Sequence, residues 1–207
     1  YRNYSEIEFV QTVAAQIPWS HNLEILRVDS KEKRIWYINQ TIENGWSKNV
    51  LAHQIDTNLY ERQIGQKKVT NFETKLPSPQ SELAVQTIKD PYIFDFIDLR
   101  NDSLEKDFEN ALIANITKVL LEFGKGFAYV GHQYHLEIAG EDFYIDLLFY
   151  NIKLKCYVVI ELKNDEFKPE YAGKLSFYLT AIDEEVKEKN DNPTIGLLLC
   201  KHKNNII

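Results

Sequence analysis

The strongest constraint on the fold is the stretch from Asp142 to Lys163, two apolar runs joined by a short polar turn. Phe143 to Tyr150 is aromatic and aliphatic, Asn151 to Lys155 is polar enough to turn, and Cys156 to Leu162 is again almost wholly apolar. Runs of this kind, bounded by turn residues, predict strands covered on both faces. Three charges interrupt them: Asp146 in the first strand, and Glu161 and Lys163 near the end of the second. Side chains alternate across a strand, so Glu161 and Lys163 share a face. A hairpin centred near Ile152 and Lys153 sets Asp146 across from Glu161 to within a residue or two.

Two carboxylates held about 4 Å apart inside a sheet repel by on the order of 4 kcal/mol at an effective dielectric near 20. A shared proton or a cation offsets that repulsion. A divalent cation that favours oxygen, Mg²⁺ or Mn²⁺, suits the pair. Such an ion would polarise a phosphate oxygen and acidify a bound water, while Lys163 would orient that water or steady the developing charge. The other reading of the same residues is a buried Asp–Lys or Glu–Lys pair that serves structure alone.

The order Asp146 … Glu161-Leu162-Lys163 resembles the PD-(D/E)XK nuclease superfamily. The surrounding text, GFAYVGHQYHLEIAGEDFYIDLLFYNIKLKCYVVIELKNDEFKPEYAGKLSFYL, is similar to the YhcG-type family of bacterial nucleases, and the likeness runs from about Pro18 to the end of the chain. The resemblance implies a nuclease-like C-terminal domain preceded by a helical, winged-helix-like N-terminal domain. It implies a further acidic site residue at the Glu of the segment ENAL, Glu109. It also implies that AGKLSFYL faces the site, with Lys174 near the phosphate.

Charge bears on how nucleic acid would be held. The net charge is −7 over 207 residues, and the acidic excess lies beyond Lys75, the first 75 residues being nearly balanced. An acidic C-terminal half argues against a broad electrostatic grip, so contact would rest on local patches or on another chain. No apolar run approaches the length of a membrane span and no signal-peptide pattern opens the chain. Cys156 and Cys200 both fall in expected buried strands, where a free thiol acts as a small apolar residue, and a cytoplasmic setting fits. The chain opens on Tyr1 and contains no methionine, from which we expect a piece of a longer protein; the resemblance implies further sequence beyond Ile207.

Helical spacing marks Tyr4 to Ile17, a second helix capped by Ser20-His21-Asn22, a third over Lys31 to Glu43 with the stripe Ile35, Trp36, Ile38 and Ile42, and a fourth over Lys48 to Arg62. Asn44-Gly45 is a strong stop between the last two, and Ser47 caps the fourth. Helix, glycine turn, helix is the layout of a helix-turn-helix, which would present Lys48, Asn49, His53, Gln54 and Asn58 to phosphates and base edges. The same layout also serves as a plain helical hairpin for packing or for a homodimer. Gly65 to Gln80 reads as a linker that includes Lys67 and Lys68, Ser81 to Ile88 as a short helix, and Tyr92 to Leu99 as a short strand or docking segment.

Ser103 is expected to cap a single helix running to Phe123, with Leu104, Phe108, Leu112, Ile116 and Leu120 on one face. On that helix Glu109 is assigned to the site and Glu105 to solvent. Phe127 to Ile138 is the first strand; its His132 and His135 give only a weak zinc signal, with no cysteine or third histidine nearby, and are expected instead to line the cleft or make strand-edge hydrogen bonds, while Gln133 is a candidate ligand to substrate or water. After Lys163 a helix from Pro169 to about Glu188 leads to the strand Thr194 to Cys200, which would lie parallel to the Glu161 strand.

These readings add up to an α/β protein. A restriction-endonuclease-like mixed sheet flanked by helices (103–207, incomplete at its C-terminus) follows a linker and docking segment (76–102) and an α-helical, helix-turn-helix-like domain (1–75). The expected activity is that of a Mg²⁺- or Mn²⁺-dependent nuclease acting on DNA in preference to RNA. Asp146 and Glu161 would hold the metal with the Leu162 carbonyl and Glu109, and Lys163 would assist the water. Lys174, Gln133, Lys48 and Asn49 would contact nucleic acid. The alternative is a non-catalytic binding or assembly module that keeps the same fold.

Overall fold

The computed structural model describes residues 14–65, 70–89, 92–94, 96–97 and 104–202. Most of the expected first helix, Lys67, Lys68 and the expected cap at Ser103 lie outside the described residues. The chain forms two compact units, residues 1–68 with 86–93 and residues 69–85 with 94–207.

In the first unit α1 spans Trp19–Ile25, α2 spans Lys31–Asn44 and α3 spans Lys48–Asp56. Pro18, with its fixed backbone angle, is the cap of α1, so the helix opens two residues before the expected Ser20 cap. The Ser30 hydroxyl accepts from the Lys33 N–H, and the Ser47 hydroxyl accepts from the Val50 N–H, each at 3.4 Å. Gly45, at φ 64, ends α2. The core joins Ile17, Ile25, Val28, Tyr37, Ile38, Leu51 and Leu59.

Helix α2 is rotated from the expected stripe: Tyr37, Ile38 and Thr41 are buried while Ile42 is 42% exposed. Tyr37 can go inward because its hydroxyl is satisfied there. It donates to the Gln54 carbonyl at 3.3 Å and accepts from the Tyr60 N–H at 3.1 Å. Gln54, expected outward, is therefore buried beneath it. Helix α3 stops at Asp56 and not at Arg62, because Asn58 takes a left-handed conformation at φ 51. Among the described residues of this unit there is no strand.

The second unit opens with α4, Phe72–Lys75, inside the stretch read as linker, and with the start of α5, Gln80–Thr87. The Gln80 amide donates to the Pro193 carbonyl at 2.8 Å and ties this segment down. No strand forms among the described residues of 92–99. The segment docks instead, with the Phe94 ring edge-on to Phe96, Phe108 and Phe123. The single helix expected up to Phe123 is two, α6 (Glu105–Ala114) and α7 (Ile116–Phe123). They part at Asn115, whose amide turns back onto the Ala111 carbonyl at 3.0 Å and so competes with the helical ladder.

Four strands follow: β1 (Phe127–Ile138), β2 (Glu141–Asn151), β3 (Cys156–Glu166) and β4 (Ile195–His202). They lie in the order β1-β2-β3-β4, antiparallel except for the parallel pair β3/β4. That parallel pair needs a crossover, which α8 (Pro169–Glu185) supplies. Tyr178, Ala181 and Ile182 of α8 join the core with Leu148 and Val159 of the sheet. Gly196 lets α8 and β4 approach: a Cβ there would lie 2.8 Å from the Leu175 side chain. Cys156 is buried, its thiol pushed up to about 12 by burial, and both cysteines are free. No helix among the described residues is long and apolar enough to cross a membrane.

Candidate metal and phosphodiester site

The β2–β3 ladder ends with Leu147 opposite Ile160, so one further step places Asp146 opposite Glu161. The ladder stops there because a side chain takes over: the Leu162 N–H donates to Asp146 Oδ2 at 2.8 Å. The other neighbour of Asp146 is irregular at the same level. Pairing runs His132 with Leu147 and Tyr134 with Ile145, omitting Gln133 opposite Asp146, and Gln133 sits at φ 43. A bulge between Tyr129 and Gly131 precedes it. The sheet thus opens around Asp146, a local cost that re-aims side chains.

Glu161 is fully buried. Its Oε1 accepts from two ammonium groups, Lys163 Nζ at 2.9 Å and Lys174 Nζ at 2.5 Å. Its Oε2 is buried with no hydrogen-bond partner among the described residues. Lys163 has a full set of acceptors: the Leu162 carbonyl at 2.6 Å, Glu161 Oε1 at 2.9 Å and Glu105 Oε1 at 3.0 Å. An ammonium has three protons, so all are engaged. Among the described residues Lys174 ion-pairs with Glu161 alone, and the ring of Tyr178 lies 5.3 Å away. Its side chain is 47% exposed, against 10% for Lys163.

Glu109 is also buried, but it belongs to a separate contact. Gln133 Nε2 donates to both of its oxygens at 2.9 Å. Gln133 therefore serves a protein carboxylate in this state. His132 contacts the Tyr129 hydroxyl at 2.8 Å and His135 contacts Asp142 at 2.6 Å, so neither histidine joins the acidic pair.

Sequence reasoning missed Glu105, which was assigned to solvent and in fact reaches Lys163. The signal was its spacing of one helical turn from Glu109, which puts both on the face of α6 turned to the strands. On the first unit, Lys48 at the start of α3 pairs with Glu24 at 3.3 Å, and Asn49 beside it is exposed.

Burial pushes the Asp146 carboxyl up to about 6; the Leu162 N–H opposes the shift and the charge of Glu161 adds to it. Burial pulls the Lys163 ammonium down, but Glu161 and Glu105 outweigh it and hold the group above the usual lysine range. Lys174 is raised as well, burial being outweighed by Glu161. Both lysines therefore stay cationic at neutral pH and act as charges, not as bases.

The donors suit a hard divalent cation. Asp146 and Glu161 offer carboxylate oxygens on adjacent strands, and the unpartnered Glu161 Oε2 is a buried lone-pair site that a cation would satisfy. Among the described residues no three His, Cys, Asp or Glu side chains converge as a metal cluster. One or two protein carboxylates completed by water and substrate phosphate is the usual arrangement for Mg²⁺, so the pair fits that ion without a third.

A mixed sheet whose Asp and Glu-x-Lys meet at the point where two strands part is the arrangement of a PD-(D/E)XK-type nuclease fold. The chain belongs to the family described as the YhcG PDDEXK nuclease domain, which matches residues 85–207, and residues 1–62 match the DUF1016 N-terminal domain. It is 35% identical over 197 residues to the Escherichia coli (strain K12) protein named "Putative nuclease YhcG", covering 93% of this chain and 52% of that protein. The chain thus spans about half the length of that curated relative. A crystal structure of a repair endonuclease from Pyrococcus abyssi overlaps 52% of this chain and 42% of that one, at 18% identity and a TM-score of 0.36.

Proposed function

We propose that this chain carries the hydrolytic site of a Mg²⁺- or Mn²⁺-dependent nuclease acting on phosphodiester bonds of DNA, with RNA as the lesser substrate. The observation that carries the reading is the buried Glu161 Oε2, left without a partner beside Asp146. A carboxylate oxygen wholly removed from water and from donors is expensive, and a functional site is where such a group is tolerated. Asp146 and Glu161 would hold the cation. When bound, the cation supplies a Lewis acid for the phosphate and a more acidic water.

The remaining roles fall to the chain's own side chains. Lys163, fixed by three acceptors, steadies negative charge developing at the phosphate or on the attacking water. Lys174 offers a more exposed ammonium to a backbone phosphate. Glu109, held by Gln133, stands behind the pair as an outer acceptor for water, and the Leu162 carbonyl, which keeps Lys163 on one lone pair, offers its second as a further oxygen. Lys48 and Asn49 give the first unit a local phosphate contact, and its helices a surface for a homodimer. Cleavage of labelled single- and double-stranded DNA and RNA, with Mg²⁺ or Mn²⁺, tests the reading in wild type and Asp146→Asn. Cutting that vanishes in the variant supports it; no cutting of any substrate by the full-length protein removes it.

One observation favours a second reading, a non-catalytic binding or assembly module. Glu161 is neutralised by two lysines, and no third carboxylate joins the pair among the described residues. A module of this kind would bind nucleic acid or partner chains equally well with and without divalent cation.

A further inference from the structure

Two ammonium groups share one oxygen of Glu161 and leave the other bare. The two lysines differ in what holds them. Lys163 is buried and keeps the Leu162 carbonyl and Glu105 whether or not Glu161 is available. Lys174 comes from α8, is half-exposed, and has Glu161 as its one ion-pair partner among the described residues. A divalent cation taking Glu161 and Asp146 would place two positive charges within a few ångströms of both lysines, and only Lys174 has somewhere to go. Its four-carbon stem lets the ammonium swing toward solvent, where a phosphate would meet it.

Resting on the metal-nuclease reading above, we propose that Lys174 is the exchangeable cation of this site: it holds Glu161 while no divalent ion is bound, and is released to a backbone phosphate of the nucleic acid when one binds. Metal and nucleic acid then bind cooperatively, because the ion frees a charge that the phosphate uses. Linkage makes the effect reciprocal, so nucleic acid tightens metal binding by the same factor. Lys163 does not exchange, because its other two acceptors remain.

Calorimetric titration of Mn²⁺ into wild type, Lys174→Met and Lys174→Arg tests this without reference to turnover. Removing the competing ammonium should tighten Mn²⁺ binding about tenfold in Lys174→Met, within the usual range for coupled sites, and Lys174→Arg should stay near wild type. Anisotropy of a labelled single-stranded oligodeoxynucleotide is then followed against salt, with and without Ca²⁺. Wild type should steepen by about one phosphate contact when Ca²⁺ is present, a change of roughly 0.7 in the logarithmic slope, whereas Lys174→Met should not change. If Lys174→Met binds Mn²⁺ as wild type does or more weakly, or if it keeps the Ca²⁺-dependent slope, the exchange is wrong though the metal site stands. If wild type takes up no Mn²⁺ at all, the metal reading falls first and the exchange with it.

Discussion

Glu105 and Lys163 stand 58 residues apart in the chain, and their side chains meet at 3.0 Å. The contact joins α6 to β3 and completes the set of acceptors around a buried ammonium whose other partners are Glu161 and the Leu162 carbonyl. A lysine held on three sides does not wander, so its charge is delivered at one point of the site. The arrangement also makes Glu161 and Lys163 depend on each other, with consequences for stability.

Lys163→Met leaves Glu161 fully buried with only the half-exposed Lys174 to balance it. Breaking a buried pair on one side destabilises by about 3–5 kcal/mol, whereas apolar replacement of both members is often nearly neutral. Urea unfolding of the metal-free protein should show a loss of about 3 kcal/mol for Lys163→Met and recovery of most of it in Lys163→Met/Glu161→Leu. Equal losses in the single and double variants would mean that the pair is not coupled in this way.

The Asp146 carboxyl, pushed to about 6 chiefly by burial, holds its proton to higher pH than it does in the unfolded chain. Proton binding therefore favours the folded state, and this group's contribution is full below about pH 4. It is lost as the pH rises to about 6, amounting to on the order of 3 kcal/mol. Unfolding of the metal-free protein at pH 4.5 and pH 7 should reveal the loss in wild type and a flatter profile in Asp146→Asn. Cation binding needs the carboxylate, so Mn²⁺ affinity should weaken below about pH 6. A wild-type stability that rises across this interval to the same extent in both proteins contradicts the assignment.

Gln133 donates to both oxygens of a buried Glu109 from a left-handed backbone position. Gln133→Ala removes that donor, and a buried acceptor left unmet costs about 1–3 kcal/mol. Adding Glu109→Leu should then restore most of the stability. A Gln133→Ala protein as stable as wild type would show that water replaces the amide without loss.

The β1–β2 turn sets Ala139 at φ 53 and Gly140 at φ 82. Asparagine accepts the left-handed region more readily than alanine, and Asn-Gly is the favoured pair for such turns. Ala139→Asn should raise stability by about 0.5–1 kcal/mol, read as a higher urea midpoint at unchanged slope. Destabilisation would mean that the Ala139 methyl makes a packing contact that outweighs the turn.

Much of the second unit was legible in the sequence. The two apolar runs, their turn and the position of three charges within them are local patterns, so strand identity, the pairing of Asp146 with Glu161 and the parallel partner after a helical crossover all follow from periodicity and topology. The caps at Ser47 and Gly45 were equally local. Where the expectations failed, a polar side chain's hydrogen bond had outweighed the apolar pattern. Tyr37 displaced the expected stripe of α2 because distant backbone groups satisfy its hydroxyl, and Asn115 split the helix before Phe123 by turning its amide inward.

The sequence by itself singled out the candidate groups: an Asp and a Glu-x-Lys placed by strand alternation, and a glutamate on the preceding helix implied by the family resemblance. Only the tertiary structure decided how they neutralise one another. That Glu161 carries two ammonium groups on one oxygen and none on the other, that Glu105 and not Glu109 reaches Lys163, and that Gln133 opens the sheet beside Asp146 depend on how α6 and α8 pack against the strands. Charge pairing acts over a few ångströms between residues far apart in the chain: spacing puts Glu105 and Glu109 on one face of α6, but the packing decides which of them meets Lys163.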